Sequence, residues 1–384
     1  MFKSTSLMFL FCVVVFAGVV TVPAQRALTS SRNNLKSGAV YILTNQVANS
    51  VIAFSRDPKT GSLTVVDTQS TGGAGNPIAM PGDPPTDALA SQGALAVDDG
   101  NNYLYAVNAG SNEISVLAIK KSGLELVQKI PSGGTRPISL AIYGDWVYVL
   151  NEGGTPNITG FSVADNGTLS AIDGSVQPLI GGTAADPAEV GFNQDGTLLV
   201  VTEKAGNRID TYAVDENGVA GPPHATSSHG LTPFGFAFGG ENNLFVSEAN
   251  GGAAGGGAAS SYRTEESIVD LQSGSIRNGQ TAPCWLVTTN AGTYSFTSNT
   301  GSGTVSSFKA DEDGLLRSVD GAAAITGAGS FPIDMALSVN SRFLYVLESG
   351  SHTVSAWSVG KGGSLTPIGK FGALPIGAQG IAAK

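Results

Sequence analysis

A strand–turn–strand unit that recurs along the chain constrains the fold more than any other feature of this sequence. Its clearest copy is Val147-Tyr-Val-Leu-Asn151, which is followed by a polar turn and by Asn157-Ile-Thr-Gly-Phe161. The copies align on the residue in the place of Tyr148, namely Tyr41, Tyr105, Tyr148, Val200, Phe245, Phe296 and Tyr345. Strand repeats spaced roughly 50 residues apart, with period-two alternation, are typical of propeller blades of four strands. The sequence therefore predicts an all-β fold, a seven-bladed β-propeller.

A short opening strand starts most of these units with a proline followed by alternating apolar residues. These strands begin Pro137-Ile-Ser-Leu, Pro187-Ala-Glu-Val, Pro233-Phe-Gly-Phe, Pro283-Cys-Trp-Leu and Pro332-Ile-Asp-Met. Blade 1 has no such strand before it, whereas residues 375–383 resemble one and echo Ser91-Gln-Gly-Ala-Leu-Ala96. We expect this C-terminal strand to complete blade 1 and close the ring, because closure hides two sheet edges. Residues 72–85, rich in Gly and Pro, are predicted to form a surface loop.

The amino-terminal residues 1–24 have the features of a secretory signal peptide. Lys3 precedes an apolar run over residues 7–20, and small residues follow it. The run is too short for a comfortable membrane span. We therefore expect a signal peptide (1–24), a flexible lead-in (25–37) and a single propeller domain (38–384). The protein should be secreted, extracellular or periplasmic, without membrane attachment after cleavage.

Composition limits the partners and the cross-links. The formal net charge is −10 and no Lys/Arg cluster is present, which argues against nucleic acid as a partner. Removal of the leader leaves one cysteine, Cys284, so an intramolecular disulfide is impossible. With only three histidines and no metal-ligand spacing, zinc is not expected. We expect a monomer.

Blade geometry predicts where a site would lie. The start of an opening strand lies beside the end of the antiparallel Tyr148-type strand, so two sets of residues should share one rim of the central channel. The first set, two residues after the proline, is Ser139, Glu189, Gly235, Trp285 and Asp334. The second, three residues after the Tyr148 position, is Thr44, Asn108, Asn151, Glu203, Glu248, Asn299 and Glu348.

The acidic members of these sets are the candidate site. Glu189, Glu203, Glu248, Asp334 and Glu348 would put five carboxylates around one opening, and such a ring could bind Ca²⁺. Alternatively, one protonated Glu could act as a general acid beside ionised neighbours. We assign Glu189 and Glu203 as catalytic. The ligand-binding candidates are Arg136, Glu152, Glu248, Trp285, Asp334 and Glu348. A plainer interpretation is that polar strand ends simply meet water.

The repeats resemble those of the secreted seven-bladed lactonase-like proteins, relatives of 6-phosphogluconolactonase and the carboxymuconate cyclases. The Tyr-Val-x-Asn units carry this resemblance, together with Val200-Val-Thr-Glu-Lys204 and Val246-Ser-Glu-Ala249. It covers the chain from about Gly38 to the end and implies action on a lactone. Enzymes of that family have a Gly-Pro-Arg-His type motif at the start of a blade and an Asn-Glu soon after. This chain has Asp186-Pro-Ala-Glu189 and Thr202-Glu203 there, without the Arg and His.

Two functions from different classes therefore remain open. The first is a lactonase or cyclase-like enzyme that hydrolyses or forms a lactone of a sugar acid or carboxymuconate at the acidic rim. The second is a non-catalytic propeller that binds a small ligand, a glycan or a protein there. The loss of the Arg-His pair favours the second, and the family resemblance favours the first.

Overall fold

Seven antiparallel sheets follow one another along the chain. The computed structural model describes residues 1, 34–78 and 86–384, so the predicted signal peptide lies outside the described residues apart from its first position. Within the described ranges, six sheets have four strands and one has five. The predicted all-β, seven-bladed propeller is confirmed. No helix in the described ranges is long and apolar enough to cross a membrane.

The first sixteen strands in the sequence belong to the first four blades. Blade 1 includes β1 (Ala39–Leu43), β2 (Ser50–Arg56) and β3 (Leu63–Ser70). Blade 2 is β4 (Leu95–Val97), β5 (Tyr103–Asn108), β6 (Glu113–Lys120) and β7 (Gly123–Pro131). Blade 3 is β8 (Thr135–Tyr143), β9 (Trp146–Gly153), β10 (Asn157–Val163), β11 (Leu169–Ala171) and β12 (Gln177–Pro178). Blade 4 is β13 (Pro187–Phe192), β14 (Leu198–Glu203), β15 (Arg208–Ala213) and β16 (His224–Ser227).

The remaining blades continue in the same order. Blade 5 is β17 (Pro233–Phe238), β18 (Asn243–Glu248), β19 (Ala258–Glu265) and β20 (Ile268–Arg277). Blade 6 is β21 (Pro283–Thr288), β22 (Tyr294–Asn299), β23 (Thr304–Ala310) and β24 (Leu316–Ile325). Blade 7 is β25 (Pro332–Leu337), β26 (Phe343–Glu348), β27 (Thr353–Val359) and β28 (Leu365–Phe371), and the last strand is β29 (Ile381–Ala383). Short 3₁₀ helices span Leu35–Ser37, Gly182–Ala184, Gly240–Asn242, Asn250–Gly252 and Lys361–Gly363.

Strand β29 closes the ring as predicted. It pairs antiparallel with β1, with Ile381 opposite Ile42 and Ala383 opposite Val40. Each opening strand contacts its two neighbours, in the order β29, β4, β8, β13, β17, β21, β25 and back to β29. At the amino-terminal side, Leu35 lies in the predicted flexible lead-in but is completely buried, so the packed part of the chain begins before residue 38.

The repeated aromatic or apolar anchor forms the core of each blade. The residues aligned with Tyr148 lie in the second strand from the channel and are at most 1% exposed. The Tyr148 hydroxyl donates to the Gly218 carbonyl at 2.7 Å and accepts from the Ala220 N–H at 2.8 Å. A buried phenol thus keeps its hydrogen bonds, which explains why Tyr is tolerated at a core position.

The residue before each opening proline adopts an unusual backbone conformation. Its φ is positive in five blades: Arg136 (54°), Asp186 (47°), Thr232 (56°), Ala282 (52°) and Phe331 (44°). Non-glycine residues rarely adopt this conformation, and it costs of order 1 kcal/mol. Since the five residues occupy equivalent places, they surround one end of the channel. We call this end, where the opening strands begin, the mouth.

The loop predicted over residues 72–85 is only partly at the surface. Gly75 is buried, and its N–H donates to the Gln46 carbonyl at 2.7 Å. Ala74 accepts a hydrogen bond from the Gly110 N–H at 2.9 Å, so this stretch packs between blades 1 and 2. Residues 79–85 lie outside the described residues.

Candidate functional site

The three glutamates at the ends of the Tyr148-type strands are held within their own blades. Glu203 accepts hydrogen bonds from the Gly181 N–H at 2.9 Å and from Arg208 Nη1 at 2.8 Å. Its neighbour Asp210 has a pKa raised to about 8, by burial and by the nearby Glu203 carboxylate. Glu203 shares none of the hydrogen-bond partners of Glu189.

Glu348 and Glu248 have the same kind of surroundings. Glu348 accepts from Ser351 and pairs with Lys370. Glu248 accepts from the Gly230 N–H at 3.0 Å and from two serine hydroxyls, Ser260 and Ser275.

The expected ring of five carboxylates around one opening is therefore not what the geometry gives. Among the described residues, no group of three or more acidic, His or Cys side chains could hold a metal ion, so the geometry offers no Ca²⁺ cluster.

The other predicted set does lie at the channel, where it joins neighbouring blades. Ser139 Oγ accepts from the Val190 N–H at 3.2 Å, and Glu189 accepts from the Phe236 N–H at 2.6 Å. Asp334 accepts from the Ile381 N–H at 3.2 Å, which links blade 7 to the closing strand. In each case a side chain of one opening strand binds the backbone of the next. These polar residues therefore help to hold the ring together.

A stretch of chain that sequence reasoning missed fills the channel at the mouth. Residues 86–93, which precede β4, are here called the channel segment. Gln92 Nε2 donates to Glu189 at 3.0 Å and to the Phe236 and Leu286 carbonyls, and Gln92 Oε1 accepts from the Leu286 N–H. Trp285, one of the predicted ligand-binding residues, is completely buried and donates from Nε1 to the Ser91 carbonyl at 2.9 Å.

Two ion pairs with exchanged charges flank the channel segment on neighbouring blades. In blade 3, Arg136 precedes the opening proline and pairs with Glu152, the residue after Asn151. In blade 4, Asp186 occupies the place of Arg136, and its carboxylate lies 3.0 Å from the ammonium of Lys204, which occupies the place of Glu152. The side chains of Arg136 and Lys204 are each 7% exposed, whereas Asp186 is 45% exposed.

Both cations of these pairs bind the channel segment. Arg136 Nη2 donates to the Ala88 carbonyl at 2.7 Å, and Lys204 Nζ donates to the Ala90 carbonyl at 2.8 Å. Lys204 Nζ also lies 5.1 Å from the centre of the Phe234 ring, a cation–π geometry. The mouth thus presents two fixed positive groups that already bind carbonyl oxygens.

Burial alters the proton affinity of the deeper groups. The pKa of Glu189 is raised well above its usual value, by burial first and by nearby Asp334 as well. Burial likewise raises the pKa of Asp334 to about 8 and that of the Cys284 thiol to about 12. Cys284 is therefore a thiol that resists ionisation, not a reactive nucleophile.

These shifts predict a pH dependence of stability. An unfolded Asp or Glu ionises near about pH 4, whereas folded Asp334 and Glu189 keep their protons to higher pH. Between about pH 4 and about pH 8 the unfolded state binds fewer protons, so the free energy of unfolding should fall as pH rises and then level off. We expect Asp334→Asn to flatten this slope in chemical denaturation series from pH 4 to 9. The exposed control Asp313→Asn should keep the wild-type slope, and an unchanged slope in Asp334→Asn would contradict the assignment.

The missed residues had weak sequence signals. Gln92-Gly93 in the channel segment matches Gln379-Gly380 before β29, and both glutamines bind inside the channel: Gln379 Oε1 accepts from the Leu89 N–H at 2.7 Å. From the sequence alone, this similarity predicts only a strand and not a contact inside the channel. Lys204 was missed because it lies one residue beyond the set predicted for the rim, and successive strand residues point to opposite sides.

Known proteins resemble part of the chain in sequence and nearly all of it in fold. Residues 34–178 match the family described as "Lactonase, 7-bladed beta-propeller". A 6-phosphogluconolactonase of Sodalis glossinidius is 29% identical over 161 residues, 38% of this chain and 46% of that protein. The matched region thus spans about half the length of the curated relative.

Solved structures extend the fold comparison. The periplasmic gluconolactonase of Pseudomonas aeruginosa superposes with a TM-score of 0.69 at 14% identity, covering 90% of this chain and 98% of that one. A Lactobacillus plantarum protein gives a TM-score of 0.69 at 16% identity, covering 90% and 99%. At such identities the superpositions support the fold alone. The resemblance indicated by the repeats is confirmed: residues 34–178 match the lactonase family, and the described residues form a seven-bladed β-propeller.

Proposed function

We propose that this protein is a secreted lactonase-like propeller that binds a small lactone at the mouth and opens its ring. The substrate class is a lactone of a sugar acid or of a carboxymuconate. The observation that carries the proposal is the pair of ion pairs with exchanged charges, Arg136–Glu152 and Lys204–Asp186, on neighbouring blades. Ring opening needs a positive donor for the carbonyl oxygen and a base for the attacking water, and this arrangement supplies both.

Each charged group has a distinct role in this proposal. Lys204 stabilises negative charge on the lactone carbonyl oxygen once the lactone displaces the Ala90 carbonyl from its ammonium, which binds carbonyl oxygens of Ala90 and Pro187 at 2.8 and 3.1 Å. Asp186, the most exposed of the four, takes a proton from water as the water oxygen bonds to the carbonyl carbon. The ring C–O bond then breaks, and the leaving oxygen takes the proton held by Asp186, which gives the hydroxy acid and restores the carboxylate. Arg136 holds carboxylate or hydroxyl oxygens of the ligand.

Catalysis by Glu189 and Glu203 is a competing version of the same proposal. Glu189 has the raised pKa that a general acid needs, and it lies beneath Gln92 of the channel segment. Glu203 is ion-paired with Arg208 inside blade 4. The ligand-binding roles predicted for Glu248, Asp334, Glu348 and Trp285 remain predictions as well.

Secretion is part of the proposal and rests on residues 1–24, with Lys3 followed by a short apolar run. A fold neighbour carries the name periplasmic gluconolactonase, which is compatible with an extracytoplasmic location. The amino terminus of protein recovered outside the cytoplasm, near Gln25 or at Met1, decides this part.

A second candidate is a non-catalytic propeller that binds a ligand at the mouth. Two observations favour it: Ala188 and Glu189 replace the Arg-His pair of the family's enzymes, and the channel segment occupies the donors of Arg136 and Lys204. Under this hypothesis the ion pairs select a ligand without transforming it.

Hydrolysis of a panel of sugar-acid lactones by purified mature protein tests the proposal, with binding followed by calorimetry. We expect Asp186→Asn to lower kcat/KM by about 100-fold or more, because removal of a general base typically costs 10²–10⁴ in rate. The control Asp165→Asn, an exposed carboxylate elsewhere on blade 3, should leave turnover unchanged.

The other variants separate the alternatives. Loss of turnover in Glu189→Gln or Glu203→Gln, with Asp186→Asn active, would move catalysis from the ion pairs to the two glutamates. Saturable binding without turnover would establish the non-catalytic function. Neither binding nor turnover on the panel would reject the mouth as a lactone site.

A further inference from the structure

A cavity of about 210 Å³ lies at the end of the ring opposite the mouth. It is bounded by blade 1, by the turn after β4 in blade 2 and by the turn after β25 in blade 7, and its walls include Lys36, Gly38 and Arg56. The cavity therefore spans the seam where the closing strand β29 completes the ring.

The walls are positively charged although the chain as a whole is acidic. Lys36, Arg56 and Lys384 line the cavity, with Asp99 as the acidic member of the lining. Asp99 is fully exposed, and its carboxylate lies 3.9 Å from the Lys384 ammonium. In a chain of formal charge −10, three cations around one cavity mark a local field that attracts anions.

Arg56 is held rigidly in the wall and keeps one donor unused. Its Nε and Nη2 donate to the main-chain oxygen of Lys384, the last residue of the sequence, at 3.2 and 3.0 Å. The guanidinium lies against Gly38, where a Cβ would approach Nη2 to 2.6 Å, and its Cζ is 5.7 Å from the centre of the Phe343 ring. Arg56 is 5% exposed, and among the described residues Nη1 has no hydrogen-bond partner. A buried donor without a partner is unfavourable, so a bound acceptor would relieve it.

We infer that this cavity binds a small oxyanion of the size of phosphate or sulfate. Arg56 and the ammonium groups of Lys384 and Lys36 would supply charge-assisted hydrogen bonds. The cavity volume accommodates one such ion with several waters, since a water occupies about 30 Å³ in the liquid. Because the walls belong to blades 1, 2 and 7, the anion would brace the closing seam. This site is independent of the proposed lactone site at the mouth.

Titration of the full chain with inorganic phosphate, at constant ionic strength set with chloride, tests the inference by calorimetry and thermal unfolding. We expect saturable binding and a melting temperature that rises with phosphate, because a ligand that binds only the folded state stabilises it. Lys384→Gln, which leaves Arg56 and the backbone in place, should weaken binding by about tenfold, a factor that one charge-assisted hydrogen bond can supply. Asp99→Asn should bind at least as tightly as the wild type.

The matched control is Lys361→Gln, which removes the same charge from an exposed position of blade 7 outside the cavity lining. It should bind phosphate as the wild type does. Equal weakening in Lys361→Gln and Lys384→Gln would mean a general charge effect and would overturn the site. Absence of saturable binding in the wild type, with a melting temperature independent of phosphate, would overturn it as well.

Discussion

Deleting residues 378–384 should unfold or aggregate the protein, because these residues supply the opening strand of blade 1. The deletion removes the β29–β1 pairing and the hydrogen bonds that flank it, from Leu43 N–H to the Gly380 carbonyl and between Ala39 and Lys384. It also removes the buried Ile381 and the hydrogen bond that Ile381 donates to Asp334 in blade 7.

The expected loss is comparable to the stability of the whole domain. One buried isoleucine and several backbone hydrogen bonds together contribute about 5 kcal/mol or more, and domains unfold with about 5–15 kcal/mol. The deletion also bares the edge of β1, whose Val40, Tyr41 and Ile42 are completely buried in the intact ring, and a bare apolar edge promotes aggregation.

Thermal unfolding and light scattering check this expectation. The control is Ile376→Ser, a substitution two residues before the deletion at a side chain that is 73% exposed, and it should melt like the wild type. A truncated protein that stays monomeric and melts within a few degrees of the full chain would show that the closing strand is dispensable.

The fold could be predicted from the sequence because each blade repeats the same local pattern. Period-two alternation and a buried anchor at the Tyr148 position specify strands, and seven copies specify the number of blades. The closing role of β29 followed from one missing strand at the start and one extra strand at the end. These are inferences about backbone pairing, which local patterns determine well.

The site could be predicted only in part, because it depends on side-chain direction and on long-range contacts. Residues 202–204 lie consecutively at the end of β14: Glu203 turns into its own blade, and Lys204, one residue on, faces the mouth. An error of one residue therefore reverses the assignment. The channel segment has no periodic pattern, and its contacts join residues far apart in sequence, such as Gln92 and Leu286. No local reading of residues 86–93 could reveal them.

Replacing Gln92 with alanine should destabilise the ring strongly, since one side chain bonds to three blades. Gln92 Nε2 donates to Glu189 in blade 4 and to the Phe236 and Leu286 carbonyls in blades 5 and 6, at 2.9 to 3.2 Å, and its Oε1 accepts from Leu286. Truncation leaves several buried polar groups unpaired, at about 1–3 kcal/mol each. We expect a loss of about 3–6 kcal/mol in the free energy of unfolding, measured by chemical denaturation.

The same substitution should loosen the channel segment, and Trp285 reports on this because its indole donates to the Ser91 carbonyl beside Gln92. In a Trp146→Phe, Trp357→Phe background, Gln92→Ala should shift the Trp285 emission to the red and increase its quenching by acrylamide. Gln194→Ala is the matched control, since Gln194 is exposed in the turn between β13 and β14. If Gln92→Ala keeps both the stability and the emission of the control, the channel segment does not hold the blades together. A ligand could then displace the channel segment from Arg136 and Lys204 at little cost in stability.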